Sequence, residues 1–202
     1  MSNPSVVLQQ VARNFANAIP QADTGAQHSR WKAGIGPFEE EIQIEMILDE
    51  LPADCAGEIQ TEVPYPGNQQ RCDLLVETDS VRLPIEAKLL RFRLDNGNID
   101  PNMYKSVFSP FPERSSSSML TDAEKLVYSD FDQPTGLLGL YYEKSSEEYE
   151  QLRAETIAEK FQQDVSYWYD IDIETTAIEP FDGLQHPYHQ HGAVMTWLLS
   201  VD

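Results

Sequence analysis

Apolar residues recur first at helical and then at strand spacing. Val7, Leu8, Val11, Phe15 and Ile19 lie on one helical face and predict an amphipathic helix over residues 4–19. A polar link, Pro20 to Lys32, separates it from a second helix opened by Gly34-Ile35-Gly36-Pro37, with the proline at its first position. Glu39, Glu40 and Glu41 occupy its first turn, where the helix dipole favours anions. Ile44, Ile47, Leu48 and Leu51 form its apolar stripe; Glu40 projects onto the middle of that stripe, Glu39 points away and Glu41 lies at the edge. Residues 57–65 predict a strand, followed by a turn at Pro66-Gly67-Asn68. Two further apolar runs, 71–77 and 81–89, fold back on each other about Asp79-Ser80 as an antiparallel hairpin.

Beyond the hairpin the pattern weakens over residues 94–120. Asp95-Asn96-Gly97 is a turn signal, Met103, Tyr104, Val107 and Phe108 fit a short helix, and a four-serine run spans Ser115 to Ser118. A long, weakly patterned segment within a compact domain is commonly a functional loop. Thr121-Asp122-Ala123-Glu124 reads as a capping box for a helix reaching about Ser129. Gly136 to Tyr142 predicts a buried strand. Ser145 to Glu148 predicts a second capping box, opening a helix through Ala154, Ile157, Ala158 and Phe161, and Gly192 to Leu199 a last strand. No repeat or linker divides the chain, so residues 1–202 are expected to form one domain, with a core motif region at about 36–143 and a C-terminal helix and strand within 145–200.

The hairpin concentrates the chemistry. Centred between residues 79 and 80, it sets position 73 opposite position 86, and directly opposed Cβ atoms lie about 4.5–5.5 Å apart. Glu86 and Lys88 share one face, while Leu83, Ile85, Ala87 and Leu89 take the other. Like charges directly opposed are destabilising, so Asp73 and Glu86 are most easily kept together by a bridging cation. That arrangement points to a hard-metal site.

The net charge of −20 opposes nucleic-acid binding, which depends on cations meeting phosphates. Its distribution changes the picture. Residues 71–114 hold seven basic and seven acidic residues, so the rest of the chain, with 7 basic against 27 acidic, carries the whole −20. Half of the cations therefore cluster around the candidate carboxylates. The acidic remainder suits a solvated surface or a high-salt habitat. Cys55 and Cys72 lack metal-type spacing and read as reduced structural thiols. With no apolar stretch long enough to span a membrane, and no basic n-region or cleavage site, a cytoplasmic location is expected.

A helix with an inward glutamate, a strand, a strand bearing Asp73, a strand bearing Glu86-Ala87-Lys88, a helix and a strand together resemble the PD-(D/E)XK nuclease superfamily. Cys72 stands where that family often has proline. The resemblance implies a restriction-endonuclease-like α/β core, a mixed central β-sheet flanked by α-helices. It implies that Asp73, Glu86 and the Ala87 carbonyl ligate Mg²⁺ or Mn²⁺, which takes a few carboxylates plus waters and a substrate phosphate. It further implies that Lys88 orients and helps deprotonate the attacking water, and that Glu40 completes the site. Arg91, Arg93 and Lys125 are candidates for nucleic-acid contacts. DNA is the expected substrate, with a homodimer or an accessory protein as possible partners.

Blander readings stand beside these. Asp73 could pair with Arg71 or Lys88, Glu86 and Lys88 could be a solvent-face pair, Glu40 could serve the helix dipole, and Arg91 and Arg93 could be solvated. Two other function classes remain: a catalytically inactive nucleic-acid- or protein-binding module on the same scaffold, and a zinc-dependent enzyme using His186, His189 and His191. Pro187 and Gly192 flank that histidine cluster and mark it as a loop entering the last strand.

Overall fold

The structure, a computed structural model, describes residues 3–28, 30, 32–52, 55, 57–67, 69–111, 117–131, 134–144 and 149–200. Six strands form one mixed sheet: β1 (Glu58–Pro64), β2 (Arg71–Glu77), β3 (Arg82–Leu90), β4 (Thr135–Glu143), β5 (Asp172–Phe181) and β6 (His191–Ser200), in the order β1-β2-β3-β4-β6-β5. Only β3 and β4 run parallel. Their connection carries α3 (Pro101–Phe108) and α4 (Met119–Val127), the crossover that a parallel pair requires. The other α-helices among the described residues are α1 (Pro4–Gly25), α2 (Glu40–Asp49) and α5 (Ala154–Tyr169). An α/β fold with a mixed sheet flanked by helices is therefore what the chain forms.

Strand alternation splits the core into two layers. Leu83, Ile85, Ala87 and Leu89 of β3, with Leu138, Leu140 and Tyr142 of β4, pack under α1 and α2. Leu90, Leu137, Tyr141, Met195 and Trp197 pack on the other face under α3, α4 and α5. Large side chains buried in this way contribute about 1.5–3 kcal/mol each. Among the described residues no helix is long and apolar enough to cross a membrane.

Several sequence boundaries shift. The first helix runs through Pro20 to Gly25, because Ala22 and Asp23 are still needed in the core; Asp23 accepts the Ile35 and Gln185 N–H groups, both at 2.9 Å. Pro37 does not open α2, which begins at Glu40 with Glu39 as N-cap. Helix α4 begins at Met119, capped by a reciprocal Ser118–Thr121 box rather than by Thr121 and Glu124. This moves Asp122 and Lys125 from the helix mouth onto its first inward-facing turns. The capping box expected at Ser145 to Glu148 lies outside the described residues, and α5 starts at Ala154 without a side-chain cap. Strand β5 was hidden by its composition. It is an edge strand whose Asp172, Glu174, Glu179 and Pro180 disguise a pairing with β6 along its length.

Candidate active site

The hairpin register follows the sequence reading for four pairs, from Glu77 with Arg82 to Leu74 with Ile85. The next pair, Asp73 with Glu86, is not in the ladder. Nor is Asp73 paired with Glu62 of β1, whose φ of 54° is left-handed. Strand β2 turns over at this point: Leu74 and Val76 face the α1/α2 layer, whereas Cys72 faces the other. Strand β3 meanwhile continues beside β4 to Leu90, so its edge toward β2 is left without a strand partner.

Backbone amides on that open edge need acceptors. The Ala87 N–H donates to Asp73 Oδ2 at 2.7 Å, and the Leu89 N–H donates to Glu40 Oε2. Two candidate carboxylates are thus fixed by capping a parted strand. The Ala87 carbonyl leaves the strand on the same edge as its amide, toward Asp73. Glu86 and Lys88 alternate with these residues and face α4. Glu86 Oε1 accepts from the Tyr65 hydroxyl at 2.5 Å and pairs with Lys125 Nζ at 2.6 Å. Lys88 Nζ lies 3.8 Å from Glu40 and 3.7 Å from Asp122, which also pairs with Lys125 at 3.4 Å.

The structure therefore brings Glu40, Asp73, Glu86, Lys88 and Lys125 into one network. It adds Tyr65, which sequence reasoning did not place in the site, and Asp122, 3% exposed, which the sequence read with Lys125 as opening a helix that could approach a substrate or as a capping and solvated residue. The signal for Asp122 was its spacing of three from Lys125 on one helix face; Tyr65 carried none.

Four carboxylates face two ammonium groups, and the imbalance shows in their protonation. Burial first, then the nearby Glu86 carboxylate, pushes the Asp73 carboxyl up to about 8. Burial also raises Glu40 and Asp122 above the usual carboxylate range, against the pull of Lys88. Burial alone would lower Lys88 and Lys125, but their carboxylate partners outweigh it and hold both ammonium groups charged. On the α2 side a cavity of about 290 Å³ opens onto Asp73 and is lined by Glu40, Glu41, Glu45 and Glu62. A larger cleft of about 890 Å³, lined by Glu143, Arg153, Asp182 and His191, contains none of this network.

The other candidates lie elsewhere. Arg91 donates to the Gly36 carbonyl and stands 3.7 Å from Asp95. Arg93, 6% exposed, donates to the Gly97 carbonyl at 2.9 Å and lies over the Tyr149 ring. Both guanidinium groups are engaged inside the chain, holding the 94–97 turn, rather than presented to an external phosphate. The three histidines do not converge: His191 pairs with Glu143 at 2.9 Å, whereas His186 and His189 stack on each other beside Asp95. Burial lowers His186 below its usual range and pushes His189 down to about 4, so both rings are neutral. Cys72 is buried with its thiol pushed up to about 12, and Cys55 is likewise free.

Comparison with models of known protein families, with curated proteins and with solved structures gives no match to this chain.

Proposed function

We propose that this protein is a divalent-metal-dependent nuclease acting on DNA, built on a restriction-endonuclease-like core. The observation that carries this reading is the convergence of Asp73, Glu86 and Glu40 with Lys88 where β2 parts from β3. The group fits Mg²⁺ or Mn²⁺ on its own chemistry. Its donors are all oxygens, its carboxylates exceed its ammonium groups by two, and Asp73 sheds its charge when no cation offsets Glu86. Asp73, Glu86 and the Ala87 carbonyl would hold the ion, with Glu40 at the border of the site. When bound, the ion supplies Lewis acidity toward a phosphoryl oxygen and acidifies a coordinated water.

The chain's own groups do the remaining work. Lys88, kept protonated between Glu40 and Asp122, offers a preorganised positive charge for the negative charge that develops on the scissile phosphate. Lys125 and Tyr65 fix Glu86 through one oxygen, Oε1, which leaves Oε2 for the ion. Asp122 bridges the two lysines, 3.7 Å from Lys88 and 3.4 Å from Lys125, and so holds both ammonium groups beside the ligand carboxylates.

Purified protein incubated with plasmid and single-stranded DNA in Mg²⁺ or Mn²⁺, beside Asp73→Asn and an EDTA control, tests the proposal. Cleavage lost in both controls supports a metal nuclease. A second reading, a non-cleaving binding module, is favoured by the inward engagement of Arg91 and Arg93 in a chain of charge −20. Absence of cleavage by folded protein in either metal would select it.

A further inference from the structure

His186 and His189 each use only one ring nitrogen. His189 meets Asp95 through Nε2 at 3.0 Å and leaves Nδ1 without a partner; His186 accepts the Tyr188 N–H on Nδ1 at 3.4 Å and leaves Nε2 without one. The rings are 0% and 1% exposed and stack at 4.5 Å, with 13° between their planes. A buried polar atom without a partner costs about 1–3 kcal/mol, so two on adjacent rings are a poor way to fill a core.

We propose that Asp95, His186 and His189 form a binding site for a borderline divalent metal, Zn²⁺ by its chemistry, structural in role and separate from the carboxylate network. One Asp95 oxygen and one nitrogen of each ring lie within 4.8 Å of one another. Ligands of a tetrahedral zinc lie about 3.3 Å apart, so the rings must close by at most about 1.5 Å, tilting out of their stack. Two neutral imidazoles and a carboxylate suit zinc and disfavour Mg²⁺, and a water completes four-coordination. When His186 ligates through Nε2, its proton moves to Nδ1 and the long Tyr188 contact is given up. His191, turned to Glu143, takes no part.

The position of the site gives the ion a task. Asp95 stands in the turn after β3, and both histidines stand in the loop between β5 and β6, so one ion ties two distant segments. The Gly34–Gly36 strap closes over them: a Cβ on Gly36 would fall 2.7 Å from that of His189, and one on Gly34 would fall 3.1 Å from the His186 backbone nitrogen. Arg91 joins Asp95 to the Gly36 carbonyl. That strap leads directly into α2 and so into Glu40.

The test is elemental analysis of protein loaded with Zn²⁺ and desalted, for wild type, Asp73→Asn, His186→Gln and Asp95→Asn, with circular dichroism confirming the fold. Wild type and Asp73→Asn should each hold about one zinc per chain, and His186→Gln and Asp95→Asn at least about tenfold less. Co²⁺ in place of zinc should give wild type the visible absorption of a tetrahedral site. Folded wild type without zinc, or full zinc in both ligand variants, overturns the proposal. Zinc lost from Asp73→Asn does so too, by placing the ion in the carboxylate network. If His186→Gln fails to fold, Asp95→Asn decides, since Asp95 is less buried and its amide keeps a hydrogen bond to His189.

Discussion

Replacing Asp73 with asparagine should make the metal-free protein more stable, chiefly above neutral pH. Asparagine copies the protonated carboxyl: its carbonyl can accept the Ala87 N–H, and its amide can donate to Glu86. Burial, then Glu86, pushes Asp73 up to about 8, whereas an aspartate in the unfolded chain titrates near about 3.9. The folded state thus binds more protons over that interval, so stability falls as pH rises from about 4 to about 8 and levels off above it. At face value the shift is worth about 5–6 kcal/mol. Water reaching the half-buried side chain screens about half of this, leaving about 2–3 kcal/mol. In a domain of this size each kcal/mol moves Tm by about 2–4 °C, so Asp73→Asn should melt about 5–10 °C above wild type at pH 8.5 in EDTA. At pH 5 the gap should shrink to about 2–3 °C. Calorimetry at the two pH values measures both. A variant no more stable than wild type at pH 8.5 would refute the claim that Asp73 and Glu86 strain the metal-free fold.

Lys88→Met should leave Mg²⁺ affinity within about threefold and lower kcat by about 100-fold or more, measured by calorimetry and plasmid cleavage. Lys125→Met leaves Glu86, 5% exposed, without an ammonium partner; it should cost about 2–4 kcal/mol in EDTA by denaturant melts, partly recovered with Mg²⁺. Arg91→Met should lower stability by about 1–3 kcal/mol through the Gly36 carbonyl, while the salt dependence of DNA binding keeps its slope. DNA should bind Asp73-intact protein in Ca²⁺ and not in EDTA, as read by fluorescence anisotropy at low salt, because without an ion the network repels phosphate.

Much of this was legible in the sequence because it rests on period and spacing. Alternation placed Glu86 and Lys88 together, the turn at Asp79-Ser80 set the register of the adjoining pairs, and the helical stripe turned Glu40 inward. Three things were not. The departure of β2 at Asp73 coincides with a left-handed backbone at Glu62 on the neighbouring strand, which no local residue preference announces. Lys125 was read as a candidate nucleic-acid contact because α4 was started three residues late, at a capping box that competes with the one at Ser118. Asp95 was read only as a turn residue; its meeting with His186 and His189 joins segments about ninety residues apart, and no local pattern encodes such a contact.

The parting of β2 from β3 also explains why the conflict among charges persists. Once the strands separate, Ala87 and Leu89 present amides that any acceptor could satisfy, and an asparagine and a glutamine at positions 73 and 40 would do so without repulsion. The chain instead places carboxylates there, beside a third on Glu86 and a fourth on Asp122, and adds two lysines that neutralise only part of the total. Stability alone would not select this set, since burial drives Asp73, Glu40 and Asp122 toward giving up their charge. A divalent ion bound as proposed would reverse that balance at its carboxylate ligands. The strain is therefore concentrated where the proposed ion would relieve it, on a rigid central strand whose other edge is locked to β4.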